Sequence, residues 1–286
     1  RTVFLQGLLA SATPMFFASI VKRWQKTMLF VLNDNDEAGY FYNDLKTIAM
    51  PDNANEQTAE VLFFPSSYRR AVKYGQRDAG NEILRTEVLS RLSVINEEKT
   101  ISSLPLCIVT EPSALAELVV AKHKLDEHTL SMCVGKAIDL TETEKTLRSY
   151  GFQQVDYVYE PGQFAVRGSI LDVYSFSSEL PYRIDFFGND VDTIRTFEVE
   201  TQLSKDKKEK VEIVPELATL SEEKIPFLQF LPKESVLVMK DLLYIHDTIE
   251  RIYNEGFTAQ ALTEQLEGRT EIEQNDLRKQ LQANLQ

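Results

Sequence analysis

Positive charge is scarce in this chain. Thirty-one Lys and Arg stand against forty-four Asp and Glu, for a net charge of −13. Such a surface repels a phosphate backbone, which argues against autonomous DNA binding. Arg69, Arg70, Lys73 and Arg77 form the only notable basic cluster, read as a solvated loop or a contact to a neighbouring domain. Cysteine is nearly absent. Cys107 and Cys133 lie far apart inside apolar runs, so they read as buried free thiols, in keeping with a reducing cytoplasm. The longest apolar run, near 16–21, is too short to span a bilayer, and no membrane partner is expected. No signal peptide is evident. The chain starts at Arg1 rather than Met, so a native N-terminus is expected upstream.

Histidine is equally sparse. His123 and His128 are five apart without a supporting carboxylate motif, and with His246 they read as surface residues, so no metal site is expected. Asp190 and Asp192 follow Gly188 and suit a turn better than calcium, because too few ligands are at hand. Ser66-Ser67 and Ser177-Ser178 lack nucleophile-elbow glycines. The lone Trp24 reads as core or part-buried helix surface. No catalytic constellation and no cofactor site emerge.

What is present is ample apolar material. With 286 residues, 43% of them hydrophobic, the chain is globular and long enough for two cores. Apolar runs at 28–33, 61–64 and 104–109 read as buried parallel strands, with helices over 37–48 and 83–95 between them. Glu111-Pro112-Ser113 opens a further helix. This alternation indicates an α/β layer. The pattern then changes. A strand at 129–134 and a helix are expected, the helix with a capping box at Thr141 and Glu144 and a stop at Gly151. Strands follow at 155–159, 163–174, 182–187 and 193–199, making a small α+β domain on an antiparallel sheet. The charged run Lys205–Lys210 reads as a turn or linker, after which strands at 211–215 and 235–239 and a helix over 242–253 resume. Leucines at helical spacing over 264–286 suggest a terminal helix. The expected organisation is a discontinuous α/β domain at 1–113 and 206–286, interrupted by an inserted α+β domain at 114–205.

The most informative stretch is 160–202. Alternation along an extended strand puts Tyr182, Ile184 and Phe186 on one face and Arg183, Asp185 and Phe187 on the other. The first face is a core face. The second sets a large aromatic among charges, the composition of a protein–protein hot spot. The competing reading packs Phe187 under a loop.

Gly162, Phe164, Arg167-Gly168, Leu171-Asp172, Leu180-Pro181-Tyr182-Arg183, Asp185-Phe186-Phe187, Asp192 and Arg195 carry a resemblance. The stretch resembles domain 2 of the UvrB-like N-terminal module of bacterial transcription-repair coupling factors, and the excision-repair subunit UvrB is the close relative. Weaker similarity runs from Gly7 to about Arg251. The resemblance implies a degenerate helicase-like parallel-sheet domain carrying an inserted adaptor domain. It implies that the adaptor docks the damage-recognition protein UvrA through Arg167, Arg183 and Phe187. It further implies contacts to RNA polymerase and DNA through downstream domains outside this chain, a surface that another domain of the same protein can mask, and a cytoplasmic location. By itself the chain is expected to be a monomeric binding module without enzymatic turnover.

The resemblance directs attention to residues 3–21, read as strand, glycine turn and helix. A phosphate-binding loop needs G-x-x-x-x-G-K-[ST]. Here Gly7 survives, while Ala12, Thr13 and Pro14 replace the second Gly, the Lys and the hydroxyl residue. Nucleotide hydrolysis is therefore not expected. Either the loop has degenerated, as the resemblance favours, or it was always a plain connection. A UvrB-type repair ATPase is the alternative function, and it would require the missing Lys and a long DNA-gripping hairpin. An acidic structural domain of an unrelated multidomain protein is the third reading.

Overall fold

The longest apolar runs become central strands, because only a buried strand hides side chains on both faces. The computed structural model describes residues 2–8, 10–50, 58–67, 79–97, 104–217 and 223–255. The first elements are α1 (Ala12–Trp24), β1 (Met28–Val31), α2 (Asn35–Ala49), β2 (Glu60–Phe64), α3 (Ala79–Glu97), β3 (Leu106–Thr110), α4 (Pro112–Ala116) and β4 (Leu118–Val120). Next come α5 (Lys122–Glu127), β5 (Leu130–Cys133), α6 (Leu140–Ser149), β6 (Gln153–Gln154), β7 (Gln163–Arg167), β8 (Ile170–Val173), β9 (Tyr182–Phe187) and β10 (Asp190–Phe197). The chain continues through β11 (Ser204–Lys208), β12 (Lys210–Ile213), β13 (Lys224–Pro226), β14 (Val236–Met239) and α7 (Leu242–Glu255).

Two compact units result. One takes in Arg1–Asn81, Arg91–Val119 and Lys224–Gln286, and the other Glu82–Ser90 and Val120–Glu223. The first unit holds a four-stranded sheet in the order β14-β1-β3-β2, and every neighbouring pair in it is parallel. Residues of α1 and α2, among them Phe17, Val21, Phe41 and Leu45, meet Met28, Phe30, Cys107 and Val109 in one buried cluster. Asp34 caps α2 by accepting from the Glu37 N–H at 2.9 Å, and Glu111 caps α4. In the same unit, Phe64 and Phe227 stack with ring centroids 4.0 Å apart. The chain is thus mixed α/β, with one parallel sheet as well as antiparallel ones.

The second unit is built on a six-stranded sheet in the order β11-β10-β9-β8-β7-β6, antiparallel except for the β6–β7 pair. Its inner face carries Phe164, Leu171, Val173, Ile184, Phe186, Val191 and Ile194. These pack with Leu147 of α6 and with Met132, Val211 and Ile213 of the β5–β12 pair. The hairpin turns β7–β8 and β9–β10 each have two residues, Gly168-Ser169 and Gly188-Asn189, with glycine first at φ +63°. A type II′ hairpin asks for that residue in that place. Gly162, at φ +83°, is tighter still, since an added Cβ would sit 3.0 Å from the Phe176 ring.

Several local expectations are corrected. Asp139, not Thr141, caps α6: its carboxylate accepts from the Glu142 N–H at 3.0 Å. The stop at Gly151 stands, with Gly151 N–H to Arg148 O (3.1 Å) and Phe152 N–H to Leu147 O (3.0 Å) closing a Schellman motif. Residues 155–159 form no strand, and the short β6 precedes them. The charged run at 205–210 is not a linker. It forms β11 and the start of β12, and β11 is a fully exposed sheet edge, where lysines discourage unwanted strand pairing. Residues 3–6 are not a strand. The basic cluster at 69–77 and the terminal helix expected at 264–286 fall outside the described residues.

Candidate protein-docking surface

Cross-strand register decides which side chains meet on the outer face of the six-stranded sheet. Asp172 stands opposite Ala165 on one side and Arg183 on the other, and Arg183 stands opposite Arg195. In the neighbouring row Ile170 joins Arg167 to Asp185, and Asp185 faces Thr193. Two directly opposed arginines repel. The face resolves this by giving each its own carboxylate.

Asp172 is fully buried. Its Oδ1 accepts from Arg183 Nε at 2.8 Å and its Oδ2 from Arg183 Nη2 at 2.9 Å, a bidentate fork. Arg167 Nη2 donates to the same Oδ2. Two guanidinium groups thus share one carboxylate, leaving one positive charge in excess. Arg183 Nη1 also donates to the Gln202 carbonyl at 3.0 Å, and the guanidinium lies 4.5 Å above the Phe197 ring centroid. The hydrogen bond to Asp172 holds the Arg183 pKa above its ordinary value, against the opposing effect of burial. Gln202 is held in the left-handed region at φ +58°, where its Nε2 donates to Val199 O at 2.7 Å. In the second pair, Asp185 accepts from Thr193 Oγ1 at 2.9 Å and from Arg195 Nη2.

Phe187 ends β9 beyond this row. It is 81% exposed while Ile184 and Phe186 of the same strand are buried, so it is not packed under a loop. Arg167, Arg183 and Phe187 therefore share one face, but in different states. Phe187 is bare, the Arg167 side chain is 36% exposed, and that of Arg183 only 16%. Inspection of the sequence missed Asp172 as their common acceptor. The signal was available: a lone Asp between the inward Leu171 and Val173 must point outward.

At the other proposed site, Gly7 is exposed with φ +89°, and α1 begins at Ala12. Ala12 and Thr13 occupy its first turn, and Pro14 is buried at the next position, where a helix needs no N–H donor. The capping position holds Ser11, whose hydroxyl reaches Asp44 at 3.3 Å instead of the helix end. Among the described residues, the one group that gathers three candidate metal ligands is His246, Asp247 and Glu250, all exposed. No described helix is long and apolar enough to cross a membrane.

The chain joins an α/β unit to a small antiparallel unit whose outer face carries charged and aromatic side chains. Residues 130–218 match the family described as the UvrB interaction domain. Three similar curated proteins are transcription-repair-coupling factors. That of Escherichia coli K12 is 33% identical over 45% of this chain and 11% of its own length. Those of Haemophilus influenzae and Bacillus subtilis are each 26% identical, over 74% and 77% of this chain and 17% and 18% of their own. The resemblance to the UvrB-like N-terminal module of the transcription-repair-coupling factors is thereby borne out. The chain spans less than a fifth of the length of these relatives.

Proposed function

We propose that this chain is the UvrA-recruiting module of a transcription-coupled excision-repair factor, an adaptor that binds and does not turn over. The observation that carries the reading is Phe187, 81% exposed on the same sheet face as the Arg167–Asp172–Arg183 cluster. Phe187 supplies apolar area for a partner pocket, and the excess positive charge favours an acidic residue on the partner. Arg167, Arg183 and Phe187 are the docking residues in this proposal. The α/β part is a relic of a helicase-like domain, and the adaptor inserted in it, expected near 114–205, takes in Val120–Glu223 as one compact unit. Its phosphate loop, at Gly7, Ala12, Thr13 and Pro14, no longer serves nucleotide. RNA polymerase and DNA are engaged by other parts of the longer protein, in the cytoplasm. Titration of the chain with purified UvrA tests the reading. Saturable one-to-one binding is expected, and no binding at tens of micromolar UvrA would refute it.

A further inference from the structure

The segment 155–159 reads from the sequence as a strand, yet it lies outside the ladder and is fastened over the outer face of the sheet. Val158 is fully buried among Ala165, Tyr174 and Phe197. Val155 N–H donates to Phe164 O at 2.9 Å, and Tyr159 N–H to Gln163 Oε1 at 2.9 Å. The Asp156 carbonyl accepts from Arg167 Nη1 at 2.9 Å. These anchors leave Tyr157 53% exposed with its ring 5.2 Å from the Arg167 guanidinium carbon. Arg167 is in turn tied to the buried Asp172. Tyr157 is therefore an exposed aromatic that is already fixed.

A fixed aromatic loses little side-chain freedom on binding, which is what makes such residues anchors. The register also sets its place. Arg167 and Phe187 lie two strands apart, about 10 Å across the sheet, with one further row of about 7 Å between them. Tyr157 and Phe187 thus flank the arginine cluster within the width of a single interface of about 800 Å² per partner. We infer that Tyr157 is a further contact residue of this docking surface, a second aromatic anchor that engages the same partner as Phe187. The inference rests on the proposed UvrA-docking function.

The test titrates UvrA against Tyr157→Ala, Tyr157→Phe, Phe187→Ala and Tyr40→Ala, with a melting curve on each. Tyr40, 76% exposed, is the control for an exposed aromatic in the other unit. Tyr157→Ala should weaken binding by about five- to tenfold, while Tyr157→Phe and Tyr40→Ala should stay within about twofold of the unaltered chain. Normal binding by Tyr157→Ala, with Phe187→Ala impaired, overturns this inference and leaves the docking reading intact. Normal binding by Phe187→Ala refutes the docking reading itself. A residue that acted only by holding Arg167 would give a double variant, Tyr157→Ala with Arg167→Ala, no weaker than Arg167→Ala alone. A double variant weaker than Arg167→Ala supports direct contact, and equality overturns it.

Discussion

Replacing Asp172 with Ala should be among the most damaging single changes in the smaller unit. The carboxylate is fully buried and accepts from two arginines, so its loss leaves both guanidinium groups without that partner. Breaking a buried pair from one side costs about 3–5 kcal/mol. Here Arg167 is 36% exposed and can turn toward water, whereas Arg183 at 16% cannot do so without leaving Phe197. The lower end, about 3 kcal/mol, is therefore expected. In a unit of roughly 100 residues each 1 kcal/mol moves the melting temperature by about 4–8 °C, so a drop of about 12–24 °C follows. Asp185→Ala is the comparison. Its pair with Arg195 is 22% and 34% exposed, and its loss should cost about 1 kcal/mol or less. Because Trp24, the one tryptophan, belongs to the other unit, calorimetry is the proper assay rather than tryptophan fluorescence. A double change, Asp172→Leu with Arg183→Met, removes both charges and should recover much of the loss. If Asp172→Ala melts no lower than Asp185→Ala, the organising role given to Asp172 is wrong.

Three other outcomes are expected. Burial pushes the Cys107 thiol up to about 12, so at pH 8 a thiol reagent should label the part-exposed Cys133 first and Cys107 only as the parallel sheet unfolds. Labelling of Cys107 at the rate of a free thiol would contradict its place in the core. Burial also raises the Tyr182 hydroxyl pKa. The folded state then holds its proton more tightly than the unfolded chain, so this contribution is whole below about pH 10 and is lost as pH rises through the folded value. Urea unfolding from pH 8 to 11 should show that decline, less steep in Tyr182→Phe. Calorimetry with Mg-ATP should give no heat of binding at micromolar concentrations, and saturable binding abolished by altering Thr13 would show that the phosphate loop still works.

The strands of the outer face were legible because alternation is a local rule. Tyr182, Ile184 and Phe186 against Arg183, Asp185 and Phe187 needs only the pleat. The pairing of Asp172 with Arg183 was not legible, since it depends on register between strands that bring together residues eleven apart in sequence. Lys205–Lys210 misled for a related reason. A run of charges reads as linker, yet an edge strand exposed on both faces tolerates the same composition. At 155–159 the apolar residues suggested a ladder strand, but burying Val158 beside Ala165 and Phe197 used the segment as a cover instead. Thr141 lost the cap to Asp139 because both lie within one turn and the helix took the earlier start.

The central claim is that the outer face of the antiparallel sheet is a docking surface for UvrA, and Phe187→Ala tests it most directly. The side chain is 81% exposed, so its truncation should leave the melting temperature within about 1–2 °C of the unaltered chain. Removing a hot-spot aromatic costs about 2 kcal/mol or more, so UvrA affinity should fall by roughly thirtyfold. Arg167→Ala and Arg183→Ala should also weaken binding, the latter with some loss of stability because its guanidinium is tied to Asp172. Titration and melting on the same Phe187→Ala protein give the answer. A large loss of affinity with an unchanged melting temperature is the predicted result, and unchanged affinity would contradict the account.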